Sequence, residues 1–488
     1  MSRLQRGLQR LKQSKQTAEP HIDNHKDQVS ETYNNNNVIS SSPSSHLPLS
    51  SLQKQEQKED WSALQAAWYP YESTGFVRRI KKFPLHTTFG QYMLQQFLIE
   101  AAALTELIQQ KQKHTPEASE ATTQISSQAA VEATVSTAAE TKTESDVAPS
   151  TVQYDQLLFF DSETTGLGMG TGNIPFLIGM GYVDVEHDAF VVEQLFMRNP
   201  SEENAMLRYV KHKMSAYPHW VSYNGKSFDW PLIKNRFVLH RIQWEDSTLH
   251  HFDFLHPSRS LWKRILPTCR LQHVEQMKLG IEREGDVPGS MAPQLYFQYL
   301  AEKDNTLLQG VFEHNEQDIV SLVLLAIHLC QAVQGKLDIT AMRAEEIFQL
   351  GQWFIRIGKE DDAHELMQYV YELHDHEQRN SEVTGISLPL AAYFKKKNKL
   401  HEAVQLWKVH IQQEQQRTLK SVEPYIELAK YYEHKTKSLD VALYYAEQAK
   451  QTFVATVNMT ANRNKEKKTL EAVNHRIQRL RHKLGGAQ

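Results

Sequence analysis

The sequence has little cysteine and no long hydrophobic run. Its two cysteines, Cys269 and Cys330, are too few for a disulfide framework or a thiolate zinc site, which fits a reducing compartment. The longest apolar stretch, 319–330, is interrupted by Ser321 and His328 and is shorter than the roughly 18 residues that a membrane span requires. We therefore expect a cytoplasmic protein without a membrane partner.

The sequence also has little glycine and proline, and it has no excess of positive charge. The 488 residues include 20 Gly and 17 Pro, which excludes a collagen-like chain and a wholly disordered one. The 54 Lys and Arg against 58 Asp and Glu give a formal net charge of −4, so no overall positive field attracts nucleic acid. A nucleic-acid partner would have to be held by a local site.

Composition and periodicity divide the chain into segments of different character. Residues rich in Gln, Asn and Ser at the start, and in Thr, Ala, Ser and Glu further on, cannot bury enough surface to become ordered. The predicted segments are a disordered tail (1–60), a small lead-in segment (61–111), a disordered linker (112–153), an α/β domain (154–335), helical repeats (338–460) and a basic helix or tail (461–488).

The α/β prediction comes from short apolar runs that alternate with longer patterns of period 3.6. The predicted strands are 157–160, 175–183, 190–196 and 220–223. The predicted helices are 202–214, 229–239, 270–278, 292–300 and 309–329.

Three similar segments follow this domain, beginning at Leu350, Leu390 and Leu428. Their spacings are 40 (390 − 350) and 38 (428 − 390) residues, and each has aromatic residues followed by an alanine. Such a period is typical of stacked helix pairs, and the segments resemble degenerate tetratricopeptide units. A plain helical bundle is the alternative.

Two carboxylates follow the first predicted strand of the α/β domain. Side chains alternate along a strand, so Asp161 and Glu163 are expected to point to the same face. Neighbouring carboxylates repel each other unless a cation lies between them, and such oxygen ligands suit Mg²⁺ or Mn²⁺. A solvated loop is the alternative for this pattern taken alone.

Two further short patterns carry candidate functional residues. Asn224 and Gly225 follow the predicted strand 220–223, and Asp229 is expected near the N-terminus of the next helix. His314 and Asp318 stand four residues apart at the front of an apolar helix, which places both on one helix face. In isolation, the first pattern is also that of a common turn and the second that of a surface histidine.

Taken in order, the three patterns resemble the motifs of the DEDD exonuclease superfamily on a ribonuclease-H-like fold. The matching segments are Asp161-x-Glu163-Thr164-Thr165-Gly166-Leu167, Asn224-x-x-x-Phe228-Asp229 and His314-x-x-x-Asp318. A closer resemblance is to YprB-type ribonuclease-H-like proteins, carried by Asn224-Gly225-Lys226-Ser227-Phe228-Asp229-x-Pro231-Leu232, His256-Pro257-x-Arg259-x-Leu261-Trp262-Lys263 and Pro288-Gly289-Ser290 with Tyr296-Phe297. The resemblance implies a mixed sheet flanked by helices, its first three strands an antiparallel meander.

The resemblance also implies an activity and a set of site residues. Asp161, Glu163, Asp229 and Asp318 would hold two divalent ions, Mg²⁺ or Mn²⁺, and His314 would accept or position the proton of the attacking water. The superfamily normally has Tyr-x-x-x-Asp, or His with four intervening residues before Asp, so the shorter His spacing is a departure from its pattern. The implied substrate-binding residues are Thr164, Thr165, Asn224, Phe228, Arg259, Trp262 and Lys263.

The predicted function is therefore 3′-to-5′ exonuclease action on a single-stranded DNA or RNA end. The first alternative is a non-catalytic nucleic-acid-binding or scaffold protein that binds protein partners through its helical repeats. The second is an endonuclease of integrase type. Sequence does not choose between DNA and RNA, because a single side chain near the 2′-hydroxyl decides it.

Overall fold

The computed structural model describes residues 59–107, 151–166, 172–245, 249–376, 385–414, 420–457 and 463–485. The chain forms two compact units. The first reaches to Arg259 and resumes at 268–336, and the second contains 260–267 and everything from Leu337 onward. Most of the predicted tail and linker, residues 1–58 and 112–150, lies outside the described residues.

The first unit is built on a mixed sheet of seven strands. In chain order its strands, together with the small pair β3 and β4, are β1 (Ala66–Tyr71), β2 (Thr74–Pro84), β3 (Thr88–Phe89), β4 (Tyr92–Met93), β5 (Leu157–Thr164), β6 (Pro175–Asp184), β7 (Ala189–Phe196), β8 (His219–Ser222) and β9 (His250–Asp253). The order across the sheet is β1-β2-β7-β6-β5-β8-β9. The predicted mixed sheet and its meander are confirmed, since β5, β6 and β7 pair antiparallel while β8 pairs parallel with β5, and β9 with β8.

The lead-in segment is part of this sheet. Strands β1 and β2 form an antiparallel hairpin, and β2 pairs with β7 from Val77 opposite Phe196 to Pro84 opposite Ala189. The sequence predicted only a small lead-in segment here. The strand that pairs with β2 lies more than a hundred residues later in the chain, and a local sequence pattern does not show such a pairing. The lead-in segment also contains the short helix α1 (Gln96–Glu100).

Helices flank the sheet. The further helices up to residue 336 are α2 (Glu203–Ser215), α3 (Asp229–Leu239), α4 (Leu255–Trp262), α5 (Leu271–Val274), α6 (Ala292–Glu302) and α7 (Gln309–Val333), and the last three residues of α4 belong to the second unit. The sequence did not predict β9 or α4, and the predicted helix 270–278 is α5 followed by a π-turn over Glu275–Leu279.

Helix α7 forms much of the first unit's core. Together with the turn before it, at Asn305–Val333, it is long and apolar enough to cross a membrane by length and composition alone. However, 78% of its most apolar window is buried inside the structure, as in the core helix of a globular domain. Residues from Ile319 to Cys330 are almost all less than 2% exposed.

The second unit is helical, as predicted. Its helices are α8 (Ala344–Arg356), α9 (Glu360–His376), α10 (Ser387–Lys396), α11 (Leu400–Gln413), α12 (Glu423–Tyr431), α13 (Leu439–Val457) and α14 (Arg463–Gly485). Each predicted repeat coincides with one helix pair, α8–α9, α10–α11 or α12–α13. In the second helix of each pair the repeated alanine, Ala363, Ala403 or Ala442, is fully buried, which lets the paired helices approach closely.

The basic C-terminal segment is a helix held by one buried glutamate. Glu433 lies in the π-turn after α12, its side chain fully buried, and accepts hydrogen bonds from Arg476, Arg479 and Lys483 of α14. Burial alone would raise the pKa of Glu433, but these hydrogen bonds and positive charges outweigh it and lower the pKa to about 2. Three of the eight Lys and Arg residues of this helix therefore face one carboxylate of the same unit.

Replacing Glu433 with glutamine is expected to lower the stability of the second unit in a pH-dependent way. Because the folded pKa lies below the ordinary value of 4.5, the carboxylate stabilises the fold above about pH 4.5 and loses this effect as the pH falls toward 2. The difference in Tm between wild type and Glu433→Gln should therefore be largest near neutral pH and shrink in acid. Glu447→Gln, which removes an exposed ion pair with Arg481, is the matched control. A difference independent of pH would contradict this assignment.

Candidate active site

The first two carboxylates lie where strand β5 ends. The strand is anchored by Leu157, Leu158, Phe159 and Phe160, each at most 1% exposed. Strand β8 runs parallel to β5, so the chain leaves both strands at the same edge of the sheet. Asp229, the first residue of α3, is thereby brought to the ends of β5, where the Ser162 hydroxyl donates a hydrogen bond to its carboxylate.

The turn between β8 and α3 is fixed by a residue that the sequence did not indicate. Asp253, at the end of β9, accepts hydrogen bonds from the backbone N–H groups of Asn224 at 2.8 Å and Lys226 at 3.2 Å. Asn224 adopts a positive φ of 67°, which asparagine tolerates. A Cβ at Gly225 would lie 2.4 Å from the Ser222 hydroxyl, so glycine is required there.

Helix α7 brings His314 and Asp318 to the same edge of the sheet. His314 Nε2 lies 3.7 Å from Asp318 Oδ2 and 4.0 Å from Glu163 Oε1. The four predicted carboxylates and the predicted histidine therefore gather in one place. His314 is 14% exposed and Glu163 11%, so the cluster is mostly withdrawn from water.

The carboxylates perturb one another strongly. Burial, followed by the charges of Asp318 and Asp229, raises the pKa of Asp161 well above its ordinary range. Burial and the charges of Asp161, Asp318 and Asp229 do the same to the pKa of Glu163. Burial raises the pKa of Asp229 to about 6, although the Ser162 hydrogen bond acts in the opposite direction. Negative charge in this cluster is costly unless a cation offsets it.

One internal cation reaches the edge of the cluster. Arg283 is 4% exposed and is held by Glu275, whose side chain is fully buried, through bonds from Nε at 2.7 Å and from Nη2. The same guanidinium donates from Nη2 to Asp318 Oδ1 and from Nη1 to Asp286 Oδ2 at 3.1 Å. Arg283 thus contacts Oδ1 of Asp318 and leaves Oδ2 toward His314 Nε2, at 3.7 Å.

A series of largely buried hydrogen bonds also holds Asp161. Asn315, fully buried on α7, donates from Nδ2 to Asp161 Oδ2 at 3.1 Å and accepts at Oδ1 from Gln194 Nε2 at 2.9 Å. Gln194 on β7 accepts in turn from Arg79 of the hairpin at 2.8 Å. A Cβ at Gly179 of β6 would lie 2.2 Å from Asn315 Oδ1. Glycine is therefore required at this position of β6 to make room for the Asn315 side chain.

These residues fit divalent metal ions by their donor chemistry. Asp161 and Asp229 receive hydrogen bonds from the neutral side chains of Asn315 and Ser162, and their raised pKa values show that positive charge is favoured here. Carboxylate oxygens are the ligands of Mg²⁺ and Mn²⁺. Within the described part of the chain, no three His, Cys, Asp or Glu side chains already stand at metal-binding spacing.

The predicted substrate-binding residues differ in exposure and in their hydrogen bonds. The Thr164 and Thr165 hydroxyls donate locally, to the Gly166 carbonyl at 2.8 Å and to Asn173 at 3.1 Å. Phe228 is 48% exposed beside Asp229.

Of the predicted substrate-binding residues in and just after α4, two are exposed and one is buried. Arg259 and Lys263 are exposed, whereas Trp262 is 2% exposed and offers no open face for base stacking. Trp262 is accordingly left out of the substrate proposal. An aromatic residue near cations cannot be assigned to a groove or a core from spacing alone.

Known proteins match much of this chain, including part of its first unit. The model of the RNase_H superfamily matches residues 158–330. The "Uncharacterized protein YprB" of Bacillus subtilis (strain 168) is 37% identical over 297 residues, which cover 60% of this chain and 69% of that protein. The matched family region contains Asp161, Glu163, Asp229, His314 and Asp318.

Proposed function

Because the chain belongs to the RNase_H superfamily, which supports a nuclease acting on nucleic acid, we propose that it is a metal-dependent 3′-to-5′ exonuclease. The observation that carries this proposal is the gathering of four carboxylates and one histidine at the carboxyl ends of β5 and β8. These residues come from three separate chain segments, β5, the start of α3 and α7, and their mutual repulsion has a use only if cations and a phosphate are bound between them.

The roles of the residues follow from their positions. Bound divalent ions would lower the pKa of the attacking water and offset the charge of the leaving oxygen. Asp161, Glu163 and Asp229, with Oδ2 of Asp318, would hold those ions. His314 would accept the water's proton at Nε2, a contribution of roughly 10²- to 10⁴-fold in rate.

The substrate end would be bound beside Asp229. Phe228 exposes nearly half of its surface there, and an exposed aromatic ring stacks on a nucleic-acid base without regard to its identity. This supports a single-stranded end as substrate. Single-stranded DNA and RNA both offer such an end.

The wild-type protein with Mn²⁺ is expected to shorten single-stranded oligonucleotides from the 3′ end. A 5′-labelled strand should give a ladder of shortened products, and a 3′-labelled strand should release labelled mononucleotide. Circular single-stranded DNA should stay intact, and its cleavage would indicate the endonuclease alternative. Asp318→Asn, purified in parallel, should be inactive, because it removes a ligand while keeping the shape of the site. Equal activity in this variant would reveal a contaminant.

A catalytically silent binding protein is the second candidate. The observation that favours it is the contact between Arg283 and Asp318, in which a guanidinium holds an oxygen that a metal would otherwise take. In that case the wild type would bind single strands without shortening them, with Mg²⁺ or Mn²⁺ alike.

A further inference from the structure

The loop before α6, which contains Asp286 and Val287, packs against the start of α7. A Cβ at Gly310 on α7 would lie 2.2 Å from Cγ2 of Val287, so the loop can pack against the helix only because this position is glycine. At the end of the loop, a Cβ at Gly289 would lie 3.1 Å from His314 Nε2. Both glycines let the loop approach the helix turn that carries His314.

This loop places a carboxylate on the far side of the histidine ring. Asp286 Oδ1 lies 2.8 Å from His314 Nδ1, and both side chains are mostly buried, at 11% and 14% exposed. An ionised carboxylate only accepts hydrogen bonds, so Nδ1 carries the hydrogen of this bond. Arg283 Nη1 is 3.3 Å from the same Nδ1, but a nitrogen that donates to Asp286 cannot also accept from arginine. The proton of a neutral ring is then on Nδ1.

The carboxylate is itself fixed in place. Its second oxygen, Oδ2, accepts from Arg283 Nη1 at 3.1 Å, and Arg283 is anchored on the buried Glu275. The two oxygens of Asp286 are thereby assigned, one to the arginine and one to the histidine. His314 Nε2, the nitrogen without the proton, faces Asp318 Oδ2 at 3.7 Å and Glu163 Oε1 at 4.0 Å.

From this geometry we infer that Asp286 is a positioning residue, which fixes His314 in the tautomer whose Nε2 lone pair faces the reaction centre. The inference rests on the proposed function. In the step concerned, the attacking water gives a proton to His314 Nε2 as its oxygen forms a bond to phosphorus. The bond from phosphorus to the 3′ oxygen of the preceding nucleotide breaks, and that oxygen takes up a proton from solvent.

The variant Asp286→Asn tests this tautomer directly. Arg283 Nη1 is a donor, so the amide oxygen of asparagine must face the arginine and its NH₂ group must face His314. That NH₂ group would donate to Nδ1, which forces the proton of the ring onto Nε2. The ring would keep its place but present the wrong atom to the water.

Under single-turnover conditions Asp286→Asn is expected to lower the turnover rate by at least about 10²-fold, with little change in KM or in Mn²⁺ affinity. Glu284→Gln, an exposed carboxylate in the same loop, is the matched control for the loss of one charge and should remain active. The double variant with His314→Ala should be no slower than His314→Ala alone, because Asp286 acts through the histidine. Wild-type turnover in Asp286→Asn, or additive losses in the double variant, would overturn the inference.

A second measurement does not depend on catalysis. In ¹⁵N-histidine spectra at about pH 8, where an ordinary imidazole is neutral, His314 is identified as the signal missing from His314→Ala. Its proton should be on Nδ1 in wild type and on Nε2 in Asp286→Asn. A wild-type ring protonated on Nε2 would refute the pairing even in an active enzyme. A wild type that cleaves no substrate would instead count against the proposed function, while the spectra still decide the tautomer.

Discussion

Asp161→Asn is expected to abolish hydrolysis while making the metal-free protein more stable to heat. The loss of activity, at least about 10³-fold, follows because a central ligand of the carboxylate cluster becomes neutral. The gain in stability follows from the raised pKa of Asp161, which arises from burial and from the charges of Asp318 and Asp229. A carboxylate whose folded pKa is raised destabilises the fold as the pH rises past its unfolded value, about 3.9. Asparagine removes that penalty at neutral pH.

The measurement is Tm at neutral pH with and without Mn²⁺, beside the cleavage assay. Mn²⁺ should raise the wild-type Tm, because it binds only the folded cluster, and should raise that of Asp161→Asn much less. Asp188→Asn makes the same charge change at an exposed position with a positive φ, where asparagine is tolerated, and should leave both readouts unchanged. An unstable Asp161→Asn protein would show that the aspartate holds the fold together.

Arg283→Met is expected to destabilise the first unit by about 3–5 kcal/mol, the usual cost of leaving a buried charge without its partner. Glu275 is fully buried and would lose both of its hydrogen bonds from Arg283. Asp318 and Asp286 would lose a donor as well, so hydrolysis should also fall. Urea unfolding monitored by tryptophan fluorescence gives the free energy of unfolding.

The double variant Arg283→Met with Glu275→Leu distinguishes the effect of Arg283 on stability, through Glu275, from its effect on activity, through Asp318 and Asp286. With the unpaired glutamate gone, a large part of the lost stability should return. Activity should stay low, since Asp318 and Asp286 still lack the arginine. If the single variant unfolds at the same urea concentration as wild type, the guanidinium contributes nothing to the fold.

The carboxylates and the histidine could be found from sequence because local periodicity determines where they stand. Asp161 and Glu163 follow a four-residue apolar run that is buried in the sheet, and His314 and Asp318 share one face of a long core helix. Helix α3 begins at Asp229, as the sequence predicted. In each case the spacing of side chains within one element decides the geometry.

The supporting residues could not be found in the same way. Arg283 and Asp286 lie in a loop without periodicity, and their partners stand up to 35 residues away. Strand β9 is only four residues long and begins with two histidines, so its pattern is too short to predict a strand that delivers Asp253. A single sequence shows which residues carry charge, but it does not show which charged residues, distant in sequence, form ion pairs or hydrogen bonds with each other.

The position of Arg79 limits how far the protein can be shortened. A fragment cut at the start of the family match would lose the hairpin, and with it the donor to Gln194 and the two cations, Arg79 and Lys81, that face Glu316. Each buried polar group left without a partner costs about 1–3 kcal/mol. The same cut would leave Gln194 Oε1 without its donor, and Nε2 of the same side chain is the donor to Asn315, which in turn donates to Asp161. The smallest fragment that keeps Asp161 aligned therefore begins before Ala66, almost a hundred residues ahead of the first catalytic motif.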